Sequence, residues 1–422
     1  MTALTHLDWL VLFAALVSSF AACAVIVLTQ RWHGGLSLDH DLDGIQKLHL
    51  RPVPRIGGIG VLIGLLVASL VAYGLDNPAA SLALGLLGCS APVFAAGFIE
   101  DITKVVNVRT RLFSAGLSAV LAWWLLDAKL THLDTPYLDD LIQYGWVSAL
   151  FTVFAVSGMT NSVNLIDGLN GLAAGTVALM LAGLGALAWL HGDQLVMQLC
   201  LWGAVASIGF LLMNYPFGKL FMGDGGAYLA GFWVAECGIL LLARNPDVST
   251  WTVLLCCIYP VWETVYSMYR RQFIDKVNSG QPDMTHLHHL VYRGIQANQG
   301  IKAKSEWVKH GLVSAAIWGL VALCQVIATT ARDHTALLAI GVGSFAVIYY
   351  WIYQTMAAIE IEEEDVDVAV QAHRTSVQLF ELLCRGLFLQ AIAPGLADEY
   401  KQQQHKAGGQ GCQNGDHGLL GF

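Results

Sequence analysis

The sequence predicts an all-α protein, a polytopic membrane helical bundle of about eleven transmembrane helices. Three observations carry this expectation. The 422-residue chain is 56% hydrophobic and 13% charged, roughly half the charge of a soluble protein, and its mean hydropathy is +0.57. Apolar runs of about 20 residues, the length a helix needs to cross a bilayer, recur from the N-terminus to Tyr353. Glycine is abundant at 43 residues, as expected where membrane helices approach closely. The recurrence implies one membrane domain over residues 1–356. An acidic, partly disordered tail follows over residues 357–422.

The runs fall near 9–29, 57–75, 79–99, 112–130, 144–160, 171–190, 195–213, 225–243, 251–269, 308–328 and 336–355. Alternate connections divide the basic residues unequally. One set holds Arg31, Lys47, Arg51, Arg55, Lys104, Arg109, Arg111, Lys219, Arg270, Arg271, Lys276, Arg293, Lys302 and Lys304; the other holds Lys129, Arg244 and Arg332. The positive-inside rule makes the first set cytoplasmic. The N-terminus is then periplasmic and the C-terminus cytoplasmic, as an odd number of spans requires.

The net charge of −9 argues against nucleic acid as a partner. From Ala357 onward, ten acidic residues face four basic ones, so the tail supplies most of that charge. Most of the nine cysteines lie in apolar runs, and no CxxC pair occurs, so they read as small buried hydrophobes. The first apolar run, Trp9–Leu28, has no basic leader and no clear cleavage site, and reads as a retained helix. A secondary transporter is the alternative from a different class. Polar motifs on one side only, and no obvious inverted repeat, weigh against it.

Four polar constellations lie on the cytoplasmic side. Glu100 and Asp101 end a helix, with Lys104 one turn on. Carboxylates fit poorly at a helix C-terminus, so this is a solvated end, a metal site or a proton-transfer pair. The stretch Asn161–Leu172 sets Asn161, Asn164, Asp167 and Asn170 among glycines, more polar groups than a plain turn needs. Asn214 precedes Phe221–Gly226, in which Asp224 stands just before a helix. An N-terminus there can hold an anion such as a diphosphate while Asp224 holds its cation; an ordinary N-cap is the plain reading. The longest inner loop has Arg270-Arg271, then His286, His288, His289 and Arg293. With only Asp283 nearby, phosphate or sugar contact is favoured over zinc. In the first inner loop, Lys47, His49, Arg51 and Arg55 suit anionic head groups. Glu263 and Glu236 lie inside apolar runs and should face the bundle interior.

In this order, the motifs resemble the polyprenyl-phosphate N-acetylhexosamine-1-phosphate transferases of glycosyltransferase family 4. The signatures are PxPRxGG at Pro52–Gly58, the acidic pair Glu100-Asp101, NxxNxxDGxxGL at Asn161–Leu172, FMGDxG at Phe221–Gly225, and HxHH at His286–His289. The resemblance covers roughly residues 40–295. It implies an enzyme of the bacterial inner membrane, with its active site on the cytoplasmic face. A polyprenyl (undecaprenyl) phosphate would attack the β-phosphorus of a UDP-N-acetylhexosamine, giving polyprenyl-diphospho-sugar and UMP. The cofactor implied is Mg²⁺, with Mn²⁺ as the alternative. A homodimer is among the expected assemblies.

Carried over residue by residue, the resemblance makes Glu100, Asp101, Asp167 and Asp224 catalytic, with Asp224 and Asp101 on the metal. Arg55, Lys104, Asn164, Asn170, Asn214, Phe221, His286, His288, His289 and Arg293 would bind substrate. Three positions depart from the commonest pattern: Glu100 stands where Asp is usual, Asn170 gives DGLNG for DGxDG, and the histidines read HxHH, not HHH. The last favours the branch that acts on a simple UDP-sugar and starts O-antigen or capsule-type glycans. The phospho-MurNAc-pentapeptide transferases are the alternative branch. Outside the resemblance, Ser376–Ile392 reads as an amphipathic surface helix.

Overall fold

The computed structural model describes residues 5–38, 52–135, 137–276, 283–297 and 304–361, with side chains to residue 358. The regular elements among them are helical, and one isolated bridge pairs Leu38 with Pro54. The chain divides into two units, Met1–Met356 and Ala357–Phe422. Residues 362–422, including the expected helix at 376–392, lie outside the described residues, as do Lys47, His49 and Arg51.

The helices are α1 (His6–Ser37), α2 (Gly58–Gly74), α3 (Ala79–Thr103), α4 (Val108–Leu125), the short α5 (Leu138–Ile142), α6 (Gly145–Leu165), α7 (Leu172–Leu190) and α8 (Gln194–Asn214). Then come α9 (Gly223–Arg244), α10 (Thr250–Cys256), α11 (Ile258–Tyr269), which runs into a π-turn at Arg270–Ile274, α12 (Leu287–Ala297), α13 (Glu306–Thr330) and α14 (Thr335–Ile361). Eight of them, α1, α3, α6, α7, α8, α9, α13 and α14, are long and apolar enough to cross a membrane.

Three of the eleven expected spans fall short of that standard. Helix α2 has only 17 residues. Helix α4 opens with Arg109 and Arg111 in its first turn. The run expected over 251–269 is broken at Cys257 into α10 and α11. Pro260 accounts for the break, because it has no N–H for the Cys256 carbonyl and its ring would clash there. The Gln325 side chain of α13 donates to that freed carbonyl at 2.8 Å, as apolar surroundings require.

Helix α9 is the hub, buried at every position from Gly223 to Leu242. It packs against α2, α3, α6, α7 and α8, so an all-round apolar sequence suits it. Two neighbours reach it by backbone contact. A Cβ on Gly58 would stand 2.2 Å from Gly226 Cα, and one on Gly97 would stand 2.5 Å from Gly225 N. Hydrogen bonds extend the first contact: Gly58 N–H donates to Met222 O at 2.8 Å, Gly57 N–H to Phe221 O at 2.9 Å, and Phe221 N–H to Pro54 O at 2.9 Å. The PxPRxGG segment and the FMGD segment are thereby laced together at one end of the bundle.

Gly58→Ala should therefore lower thermal stability by about 1–3 kcal/mol, the cost of overpacking a tight contact. Gly158→Ala, with nothing within 4 Å of the added carbon, should leave the unfolding midpoint of the detergent-purified protein unchanged. Equal midpoints for the two variants would refute the backbone contact.

Candidate active site

The start of α9 has no side-chain cap of its own, which leaves its first N–H groups to find partners elsewhere. Asp101 supplies them. One of its carboxylate oxygens accepts from Asp224 N–H at 2.8 Å and the other from Gly225 N–H at 2.9 Å. Asp101 sits at the C-terminal end of α3 but at the N-terminal, positive end of α9, where a carboxylate is favoured. Gly223 makes the approach possible. Its φ is +74°, and a Cβ there would lie 1.9 Å from Arg55 O and 2.6 Å from Asp101 Oδ2.

Asp224, so aimed, opens onto a cleft of about 540 Å³. Its Oδ2 accepts from Arg111 Nη1 of α4 at 2.8 Å, and its Oδ1 from Asn164 Nδ2 at the end of α6 at 3.1 Å. Arg55 Nη2 lies 3.5 Å from Asp224 Oδ1 and 3.9 Å from Asp101 Oδ1. Asp167 lines the same cleft and makes no side-chain hydrogen bond among the described residues. Burial, and next the charge of Asp224, push its pKa well above the usual carboxylate range. Glu100 also lines the cleft and accepts from Val106 N–H at 2.7 Å, which fastens the turn between α3 and α4.

The histidines line the same cleft. His286, His288 and His289 all face the cleft, and His288 and His289 abut Gly168 of the Asn161–Leu172 motif. Both ring nitrogens of His288 and of His289 are buried without a hydrogen-bond partner. Burial lowers both pKa values, His288 well below its usual range and His289 to about 4. Neutral rings result, each with one donor and one acceptor to offer a ligand. Asp283, beside them, is held by Arg270 and by Ser267 Oγ at 3.0 Å.

The structure thus brings Arg55, Glu100, Asn164, Asp167, Asn214, Phe221, Asp224 and the three histidines to one cleft. Four other residues named from sequence stand elsewhere. Asp101 lies behind the cleft wall, its oxygens engaged by α9. Lys104 terminates α3 in the left-handed region, φ +55°, with its side chain exposed. Asn170 is buried, donating to Pro216 O at 2.9 Å, and its carbonyl accepts from Ser314 Oγ at 2.7 Å. Arg293 donates to Met284 O at 3.1 Å, bracing the histidine loop from outside the lining. Asn214, although it reaches the cleft, also ties the loop after α8, donating to Leu220 O at 2.7 Å and accepting from Gly171 N–H. Sequence reasoning missed Arg111 as a cleft residue, having read it only as a positive-inside charge, and grouped Arg271 with the histidine loop without naming it a site residue. It also missed Thr264 and Ser267. Their spacing on one helix face was the available signal.

Residues 83–242 match the sequence profile of glycosyl transferase family 4. Over that stretch the chain is similar to the family 4 glycosyl transferases. The match runs from α3 through α9 and so takes in Glu100, Asp101, Asn164, Asp167 and Asp224. Over 249 residues the chain is 29% identical to the probable undecaprenyl-phosphate N-acetylglucosaminyl 1-phosphate transferase of Bacillus subtilis strain 168, covering 58% of this chain and 67% of the relative. It is 27% identical over 250 residues to the undecaprenyl-phosphate alpha-N-acetylglucosaminyl 1-phosphate transferase of Thermotoga maritima, covering 59% and 72%. It is 28% identical over 301 residues to a phospho-N-acetylmuramoyl-pentapeptide-transferase of Listeria monocytogenes serotype 4b, covering 67% and 87%.

The geometry separates a carboxylate that holds the start of α9 from one that faces the cleft. Asp101→Asn replaces one acceptor with an amide that faces an N–H, so it should cost about 1–2 kcal/mol of stability. Asp224→Asn should leave the unfolding midpoint nearly intact; the reverse order would show that Asp224 carries the fold. The histidines set a pH dependence. Unfolded, His289 titrates near 6.5, and folded near 4. The unfolded state therefore takes up the proton first, and stability falls as pH drops from about 6.5 toward 4. The double variant His288→Gln, His289→Gln should flatten that slope in thermal unfolding at stepped pH.

Proposed function

We propose that this protein transfers N-acetylhexosamine 1-phosphate from a UDP-sugar to a polyprenyl phosphate at the cytoplasmic face of the bacterial inner membrane. One observation carries the proposal: carboxylates, arginines and neutral histidines converge on a single cleft at the ends of membrane helices. Such a place can receive a lipid phosphate from the bilayer and a nucleotide from the aqueous side. The activities named for the two undecaprenyl-phosphate relatives support the same reaction class.

In this reaction a non-bridging oxygen of the lipid phosphate forms a bond to the β-phosphorus of the UDP-sugar. The bond from that phosphorus to the oxygen bridging to the α-phosphate breaks, and UMP leaves with the electron pair. The work of the protein is positioning and charge neutralisation. Arg55 and Arg111 sit where phosphate oxygens would gather, and each can exchange its carboxylate contact for a phosphate contact. His288 and His289 offer neutral donors and acceptors to sugar or uracil.

The cleft also fits Mg²⁺. Asp167 has no hydrogen-bond partner among the described residues, and its charge is opposed by that of Asp224 beside it, a repulsion a divalent cation would relieve. A hard cation held by one or two carboxylates and completed by substrate phosphates suits such a donor set. Asp224 and Asp167 would hold it, with Mn²⁺ as a substitute, and Asp101 would act by aiming Asp224. When bound, the cation supplies charge neutralisation across the diphosphate.

The HxHH pattern favours UDP-N-acetylglucosamine or a similar simple UDP-sugar, and so an O-antigen or capsule-type pathway. The test is to supply membranes with undecaprenyl phosphate, Mg²⁺ and a panel of UDP-sugars including UDP-MurNAc-pentapeptide, and to identify the lipid product by mass spectrometry. The expected product is polyprenyl-diphospho-N-acetylhexosamine with UMP released, lowered at least 10²-fold by Asp224→Asn. Turnover of only the pentapeptide substrate would move the protein to the other branch. No product with any of them would overturn the proposal.

A further inference from the structure

Glu263 is a buried carboxylate of α11, 1% exposed, that does not line the cleft. Its neighbours do: Thr264, Ser267 and Met268 of α11, and Arg271 of the π-turn that continues it, line the cleft. Glu263 lies one turn before Ser267 and reaches the histidine loop instead. Its Oε1 accepts from Leu287 N–H at 3.0 Å and lies 3.2 Å from His286 Nδ1. One oxygen thus meets the first turn of α12 and the first ring of the HxHH motif.

We propose that Glu263 is a positioning residue, fixing the His286 ring and with it the face that the histidines present to the nucleotide sugar. The inference rests on the function proposed above. An oxygen that accepts from the Leu287 N–H is already an acceptor, so the ring nitrogen facing it carries the proton. Glu263 therefore sets the Nδ1–H tautomer of His286 as well as its orientation. The orientation propagates. The His286 ring lies parallel to that of His288, 5.6 Å between centroids with 4° between planes, and His288 and His289 are 4.3 Å apart. The loop is braced around this carboxylate on other sides: Arg270 and Ser267 hold Asp283, and Tyr353 Oη of α14 donates to Thr285 O at 2.9 Å. Those braces fix the backbone. Asp283 Oδ2 also lies 3.7 Å from His286 Nε2, and Glu263 is the carboxylate at hydrogen-bond distance from that ring.

Glu263→Gln keeps the size of the side chain and an acceptor for Leu287 N–H while removing the anion. The test is a double-mutant cycle of Glu263→Gln with His286→Ala, reading the Kd of UDP-N-acetylglucosamine and of UDP by calorimetry, KM and kcat separately, and the unfolding midpoint. Glu263→Gln should raise Kd and KM about tenfold, change kcat far less and leave the midpoint in place. In the His286→Ala background it should add nothing. Unchanged Kd, or a full additive loss in that background, would overturn the positioning role. A second measurement uses the unmutated protein. Nitrogen-15 NMR of histidine-labelled protein, with His286 assigned by its absence from His286→Ala, should show Nδ1 protonated at neutral pH; a bare Nδ1 would equally overturn the proposal. If the wild-type protein binds neither nucleotide, the functional reading falls, and the tautomer alone decides the role of Glu263.

Discussion

Everything at the cleft depends on one pairing, the Asp101 carboxylate of α3 against the first N–H groups of α9. Two helix ends of opposite polarity meet there, and the carboxylate lies between them. That contact explains why an acidic residue is tolerated where its own helix would prefer a cation. It also sets the first turn of α9, and so the direction in which Asp224 projects. Arg111, Asn164 and Arg55 then converge on Asp224 from three separate segments. A larger residue at Gly58, Gly97 or Gly223 would push those segments apart, so the glycines and the carboxylate form one mechanical unit.

The arginines and the histidines of the cleft offer different kinds of recognition. The arginines act through net charge, which is long-ranged and screened by salt. His288 and His289 act through neutral rings whose hydrogen-bonding groups are buried and unpaired, which is short-ranged and directional. A nucleotide sugar has both kinds of surface, a diphosphate and a neutral sugar and base. Burial of His288 and His289 is therefore part of their usefulness, because it keeps them neutral near pH 7 while leaving their polar atoms in need of a partner.

Much of this was legible in sequence. Apolar run length located the helices, and the order of the polar motifs grouped most of the cleft before any coordinates. The misses have physical causes. Hydropathy saw residues 251–269 as one span because Pro260 scores as a single residue, whereas its steric effect breaks the helix a turn earlier. Asp101 and Asp224 are similar letters in similar motifs, and only the geometry separates one that caps a helix from one that opens onto the cleft. Arg111 was hidden because a basic residue near a membrane already has an explanation in topology. Asn170 and Asn214 look alike in a polar motif, yet each chiefly ties backbone. A side chain that satisfies a carbonyl and one that awaits a ligand leave the same trace in a sequence.

The broken helix carries a consequence for biogenesis. The carbonyl released at Cys256 is answered by Gln325, 69 residues further along the chain. During synthesis, α10 and α11 leave the ribosome well before that amide exists. Until α13 arrives, the gap between them must be hydrated or shielded by the insertion machinery, since lipid offers no donor. The order of translation thus makes the middle of the bundle wait for its end, and truncation before residue 325 leaves a polar wound in the part already inserted.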